Sequence, residues 1–176
     1  MKAWQILDPF EPRHYFNRMS SEPVKILFVC MGNICRSPAA EAVMQSKLRS
    51  LGSEHLIACD SAGTIDFHTG QPSDKRMRQA ATKRGYDMTS RARQIISSDL
   101  KHFDHILTMD DANYSEVMKL DPQGPFNQKI RPFCNYVSAF EESEVPDPYY
   151  GGLAGFDHVL NMLEDGCDQL LKELNI

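Results

Sequence analysis

Val24-Lys25-Ile26-Leu27-Phe28-Val29 is a short run of β-branched and aromatic apolar residues, the length and composition of a buried strand. After a loop at residues 30–37 the period changes. Ala40, Val43, Met44, Leu48 and Leu51 recur at helical spacing, with Ser37 suited to the N-cap, Pro38 to the first helical position and Gly52 to the stop. Residues 56–59 read as a second strand, 74–84 as a helix closed by Gly85, and 103–109 as a further buried strand. A helix over 111–120 follows, ahead of a turn at Asp121-Pro122. The last helix spans about 153–174, where Phe156, Leu160, Leu163, Cys167, Leu170 and Leu174 form an apolar stripe best assigned to the core. Strands alternating with helices predict an α/β fold in which a parallel sheet is covered on both faces. Residues 1–23 contain Pro9, Pro12 and Pro23 and aromatics without period, so we expect an appended arm there, flexible or docked, and a single domain over 24–176.

Composition narrows the class. A chain of 176 residues, 41% hydrophobic, is one domain able to bury roughly two thirds of its unfolded surface. Its 19 basic and 24 acidic residues leave a net charge of −5, which gives no general attraction to nucleic acid or anionic membrane. The longest apolar run is strand-sized, against the ~20 residues needed to span a bilayer. Asp8, Pro9, Glu11 and Pro12 interrupt any secretory core near the start, and acids there count against a transit peptide. Five cysteines without framework spacing fit a reducing cytoplasm better than a disulfide scaffold. Charge is uneven: residues 75–93 hold Lys75, Arg76, Arg78, Lys83, Arg84, Arg91 and Arg93 against Asp87 alone.

The chemistry concentrates at Val29-Cys30-Met31-Gly32-Asn33-Ile34-Cys35-Arg36-Ser37-Pro38. In an open parallel sheet, ligands bind outside the carboxyl ends of the strands. Loop N–H groups and the positive end of a helix make an anion site there, and the planar fork of Arg36 can hold two phosphate oxygens. The same surroundings favour a thiolate at Cys30, the nucleophilic form of cysteine, to which Ser37 can donate its hydroxyl. Gly32 and Asn33 tolerate the left-handed angles that a curled loop needs.

This segment resembles the intact signature of the low-molecular-weight protein tyrosine phosphatases. Asp60-Ser61-Ala62-Gly63-Thr64, Gly70-Gln71-Pro72, Ala92-Arg93-Gln94 and Asp147-Pro148-Tyr149-Tyr150 follow in that family's order and approximate spacing, over residues 24–174. The resemblance implies a four-stranded parallel sheet with helices on both faces and a phosphate-binding loop between the first strand and first helix. It implies hydrolysis of phosphotyrosine and small aryl phosphates through a cysteinyl phosphate, with no cofactor and no metal. Six histidines without ligand spacing agree with the last point.

Within that resemblance Cys30 is the nucleophile, Arg36 the phosphate clamp and Asp147 the general acid and later the base; Pro146 and Pro148 stiffen the loop that carries Asp147. Met31, Gly32, Asn33, Ile34, Cys35 and Ser37 belong to the binding site, with Met31, Phe67, Tyr149 and Tyr150 as cleft walls. Ser61 matches the serine that holds the loop asparagine, here Asn33. Phe67 stands where relatives have Tyr or Trp, and Arg84 where they often have His. Cys35, five residues from Cys30 around a curled loop, is expected to form a reversible disulfide with it on mild oxidation. The partner expected is a phosphotyrosine-containing protein, a tyrosine kinase being one candidate, for an enzyme that is a monomer or weak homo-oligomer. Three rival readings share parts of the pattern. An arsenate reductase would need relay thiols, but Cys59, Cys134 and Cys167 lie far apart in sequence. A phosphoarginine hydrolase is disfavoured by Ile34, since some relatives with that specificity carry threonine. A catalytically dead phosphopeptide-binding module is disfavoured by the presence of Cys30, Arg36 and Asp147 together.

Overall fold

The structure, a computed structural model, describes residues 22–150 and 152–176, so most of the expected arm lies outside the described residues. Four strands, β1 (Val24–Cys30), β2 (Ile57–Gly63), β3 (His105–Thr108) and β4 (Ile130–Pro132), form one sheet in the order β2-β1-β3-β4. Every pairing is parallel, and the register sets Cys30 beside Gly63 and Val29 beside Thr108. The helices are α1 (Arg36–Leu51), α2 (Lys75–Lys83), α3 (Asp99–His102), α4 (Asp111–Met118) and α5 (Leu153–Glu173).

The uninterrupted apolar character of β1 follows from burial on both faces. Ile26, Phe28 and Cys30 point into the larger core with α1, α2 and α5, whereas Leu27 and Val29 pack with Leu100, Phe103 and Val117 on the opposite side. The next strand in sequence pairs on one edge of β1 and the following one on the other. The crevice at the carboxyl end of β1 is therefore the point where strand order reverses, and the 30–36 loop occupies it.

Several sequence expectations need correction. Ser37 does not cap α1: the N-cap is Cys35, without a side-chain bond, because the Ser37 hydroxyl turns into the loop. Gly52 ends the helix in the left-handed conformation as expected (φ 65°), but Leu51 is 57% exposed, since the last turn emerges from the core before that stop. The second strand begins at Ile57 and continues to Gly63, past the polar Asp60 and Ser61 at which the apolar signal fades. The third is shorter than 103–109, because Phe103 follows α3 and packs as a core side chain outside the sheet. β4 is only Ile-Arg-Pro, too short for an alternation signal; the resemblance implied a fourth strand that periodicity did not locate.

Gly166 of α5 lies against the edge of Phe133, a fully buried ring set edge-on to Phe28 at 6.0 Å between centroids. A Cβ at position 166 would sit 2.5 Å from two ring carbons. Gly→Ala inside a helix ordinarily gains ~1 kcal/mol, but overpacking a core costs about 1–3 kcal/mol. Gly166→Ala should therefore lower the melting temperature by a few degrees, ~2–4 °C per kcal/mol at this chain length. In a Phe133→Leu background the same change should raise it; a rise in both backgrounds would mean that the ring yields freely.

Candidate active site

The loop between β1 and α1 wraps around a sulfur. The Cys30 thiol is buried at the end of β1, accepts the Asn33 N–H at 3.3 Å and lies 3.0 Å from Ser37 Oγ. Asn33 adopts φ 54°, a left-handed geometry that asparagine tolerates better than most side chains. Its amide makes that conformation stable. Nδ2 donates to Ser37 Oγ and Ser61 Oγ, both at 2.9 Å, while Oδ1 accepts the Arg93 N–H at 2.9 Å. The Ser61 bond is the one the resemblance implied.

Behind Ser61 stands a residue that the sequence did not single out. Ser61 Oγ donates to Glu41 Oε2 at 2.6 Å, and Gln45 Nε2 donates to Glu41 Oε1 at 3.1 Å. Glu41 is buried on α1, and burial pushes its titration upward from the ordinary carboxylate value more than hydrogen bonds from Ser61, Ser90 and Gln45 draw it down; Asp60 adds to the rise. Gly63, within the matching segment 60–64 but given no role by the resemblance, has a steric one. A Cβ there would lie 2.7 Å from the Met31 carbonyl oxygen and 3.1 Å from the Asn33 nitrogen, so only glycine lets β2 approach the loop backbone.

Arg36 begins α1 with 3% of its surface exposed. Nη1 donates to Asp110 Oδ2 at 2.6 Å and to the Val145 carbonyl at 3.1 Å, and Nη2 to Asp147 Oδ2 at 2.7 Å. Burial alone would weaken its proton affinity; Cys30, Asp147 and Asp110 outweigh that and hold the cation. Asp110 directly follows β3 and caps α4 through Asn113 N. An acid just past the carboxyl end of a buried strand was the available signal for it. The Asp147 carboxylate also accepts the Tyr149 N–H at 3.0 Å, which ties it into the turn Pro148–Tyr150.

The side chains expected to wall the cleft are exposed apolar ones. Met31, Phe67 and Tyr149 are 47%, 77% and 40% exposed, and the Phe67 ring stands edge-on to His68, whose own ring would meet a Cβ at Gly32. Arg76 stacks over the Tyr149 ring at 5.1 Å and donates to the Tyr149 carbonyl. The Tyr150 side chain lies outside the described residues. Ile34 is partly buried against the core, and its carbonyl accepts the Asp74 N–H. Cys35 is buried, and burial, with Asp74, Cys30 and Asp147 adding to it, keeps it a protonated thiol. Arg84 is remote from the loop: it reaches Asn161, Glu164 and Asp157 and ties α2 to α5. Among the described residues no group of three or more His, Cys, Asp or Glu is arranged to hold a metal ion.

A buried thiol that accepts a loop N–H at a sheet switch point, beside a buried guanidinium paired with a carboxylate, defines a cysteine-dependent hydrolase of oxyanion esters. Comparison with known proteins makes the class specific. The family model for low molecular weight phosphotyrosine protein phosphatase matches residues 25–176. A Synechocystis protein assigned by name to that family, slr0328, is 49% identical over 151 residues, 86% of this chain and 96% of its own. The crystal structure of an Entamoeba histolytica protein tyrosine phosphatase superposes with a TM-score of 0.83 at 46% identity, covering 86% of this chain and 97% of that one. A Drosophila arginine phosphatase gives 0.80 at 28% identity, covering 87% and 99%. The chain belongs to the low molecular weight phosphotyrosine protein phosphatase family, α/β hydrolases of phosphotyrosine.

Glu41 generates a pH prediction. A carboxyl that titrates higher in the folded chain than in the unfolded one favours folding while protonated. That contribution is full below about 4.5 and is lost as pH climbs through the raised folded value. Glu41→Gln, which still offers Ser61 an acceptor, should remove this part of the decline, read as the urea midpoint across a pH series. An unchanged slope would show that Glu41 titrates normally.

Proposed function

We propose that Cys30, Arg36 and Asp147 carry phosphotyrosine hydrolysis in two displacements. The observation that supports this most directly is the convergence of the Cys30 thiol, its loop donors, and an arginine already paired with Asp147 at 2.7 Å. The Cys30 thiolate attacks phosphorus in line with the leaving phenol while the Asp147 carboxyl passes its proton to the departing oxygen. Water then attacks the cysteinyl phosphate, Asp147 takes the proton, and sulfur leaves toward the Ser37 hydroxyl. The phosphate loop N–H groups and Arg36 hold the equatorial oxygens throughout, since phosphoryl transfer is mostly positioning and charge stabilisation. Substrate phosphate takes over the fork of Arg36, which releases the Asp147 carboxyl from its ion pair to face the leaving oxygen. Met31, Phe67 and Tyr149 supply the faces against which an aryl ring packs.

Protein phosphotyrosine is the substrate class; the enzyme works in the reducing cytoplasm, a reading supported by five cysteines free in the structure and by no described helix being long and apolar enough to cross a membrane. Likeness to an arginine phosphatase motivates one second reading, phosphoarginine hydrolysis. Ile34 in place of threonine favours phosphotyrosine, and kcat/KM on the aryl phosphate ester and on the phosphoarginine P–N bond separates them. A thiol relay for arsenate finds no support, because Cys59, Cys134 and Cys167 sit on three separate elements, on β2, after β4 and on α5.

Cys30→Ser should abolish turnover and retain phosphate binding. Asp147→Asn should cost roughly 10²–10⁴-fold in kcat on phenyl esters, shrinking as the leaving group becomes more acidic. An equal loss across a leaving-group series would sink the proton-donor assignment. We also propose Cys35 as resolving thiol: peroxide converts Cys30 to the sulfenic acid, and Cys35 displaces water to form the disulfide. Because Cys35 is held protonated, closure should be slow at neutral pH and faster in base. Thiol rescue after peroxide should be complete in the native protein and largely lost in Cys35→Ala; equal recovery would reduce Cys35 to packing.

A further inference from the structure

We propose that the outer face of α2 is a docking surface for acidic residues flanking the phosphotyrosine of a peptide substrate, a reading that rests on the phosphotyrosine hydrolysis proposed above. The helix turns Met77, Ala80 and Ala81 inward and leaves Lys75, Arg78 and Lys83 exposed beside a surface depression of about 600 Å³, with Asp157 its one acid. Lys75 and Arg78 are one turn apart, so their charges share a face. None of the three has a carboxylate partner among the described residues, whereas Arg76, Arg84 and Arg93 are already paired with Asp74, with Asp157 and Glu164, and with Asp60 and Asp99. The net charge of −5 makes this patch a local exception.

Position selects the occupant. The N-cap residue of α2, Asp74, donates its N–H to the Ile34 carbonyl of the phosphate loop at 2.8 Å, and Arg76 holds Tyr149 at the mouth. A chain leaving the cleft over Tyr149 therefore runs onto the first turn of α2 and meets Lys75, then Arg78, then Lys83. Anchoring by the phosphotyrosine raises the local concentration of neighbouring acids, so exposed pairs too weak to bind alone can still select among peptides. A free polyanion lacks that anchor, and the acidic remainder of the molecule repels an extended anionic surface.

The test compares kcat/KM for a phosphotyrosine peptide carrying Asp and Glu on both flanks with that for one carrying Ala and Gln, in the native protein and in Lys75→Glu/Arg78→Glu/Lys83→Glu. Three exposed pairs at about two- to threefold each predict roughly a tenfold preference for the acidic peptide, falling as salt is raised. The triple variant should lose or invert that preference while hydrolysing a small aryl phosphate at the native rate. A native protein indifferent to the flanks, or a variant that keeps the preference, overturns the proposal. So does indifference to peptides combined with α2-dependent binding to phosphatidylserine-rich vesicles, which would assign the face to a membrane. Failure of the native protein to turn over the aryl phosphate would instead strike the hydrolase reading beneath it.

Discussion

The site depends on one side-chain amide. A loop that bends through a left-handed residue and turns an N–H in toward a buried sulfur is a poor conformation for a free chain, because the backbone is strained. Asn33 supplies the compensation: one planar group ties Ser37 in the first turn of α1, Ser61 on β2 and the backbone at Arg93. The loop is thus held in an anion-binding shape before any anion arrives, which is the condition for electrostatic stabilisation without reorganisation.

Those ties explain features elsewhere that have no chemistry of their own. β2 must come close, which requires Gly63; Ser61 needs an acceptor so that its lone pairs remain for Asn33, which Glu41 provides from α1. Arg93 is fixed by Asp60 and Asp99, so the N–H it offers Asn33 is part of a braced segment. Replacing one member leaves its neighbours with unmet hydrogen bonds in a buried place, costing roughly 1–3 kcal/mol per orphaned group.

Much of this was legible in the sequence, and the boundary is physical. The loop motif, the strand ahead of it and the helix behind it are contiguous, and local periodicity with glycine and proline punctuation reports such units well. Asp147, singled out from its stiffened loop and the resemblance together, does lie beside Arg36. Asp110 and Glu41 were not read, because each acts through a partner some 20 or more positions away and looks locally like an ordinary helix cap or surface acid. Ser37 misled for the complementary reason. A serine before a helix usually caps it, and only the tertiary placement of Cys30 and Asn33 redirects its hydroxyl. β4 escaped because three residues, one of them proline, earn strand status only from the neighbour they pair with.

The ion pair between Arg36 and Asp147 has a consequence at the far end of the cycle. In the proposed mechanism, inorganic phosphate once formed rests on the same guanidinium that pairs with Asp147 here. Its departure therefore uncovers no bare buried cation: the carboxylate returns as the phosphate leaves, and the two anions compete for one fork. An enzyme built on a preformed phosphate cradle risks being clogged by its own product, and in the mechanism proposed above the proton donor of the first step is also the tenant that evicts it.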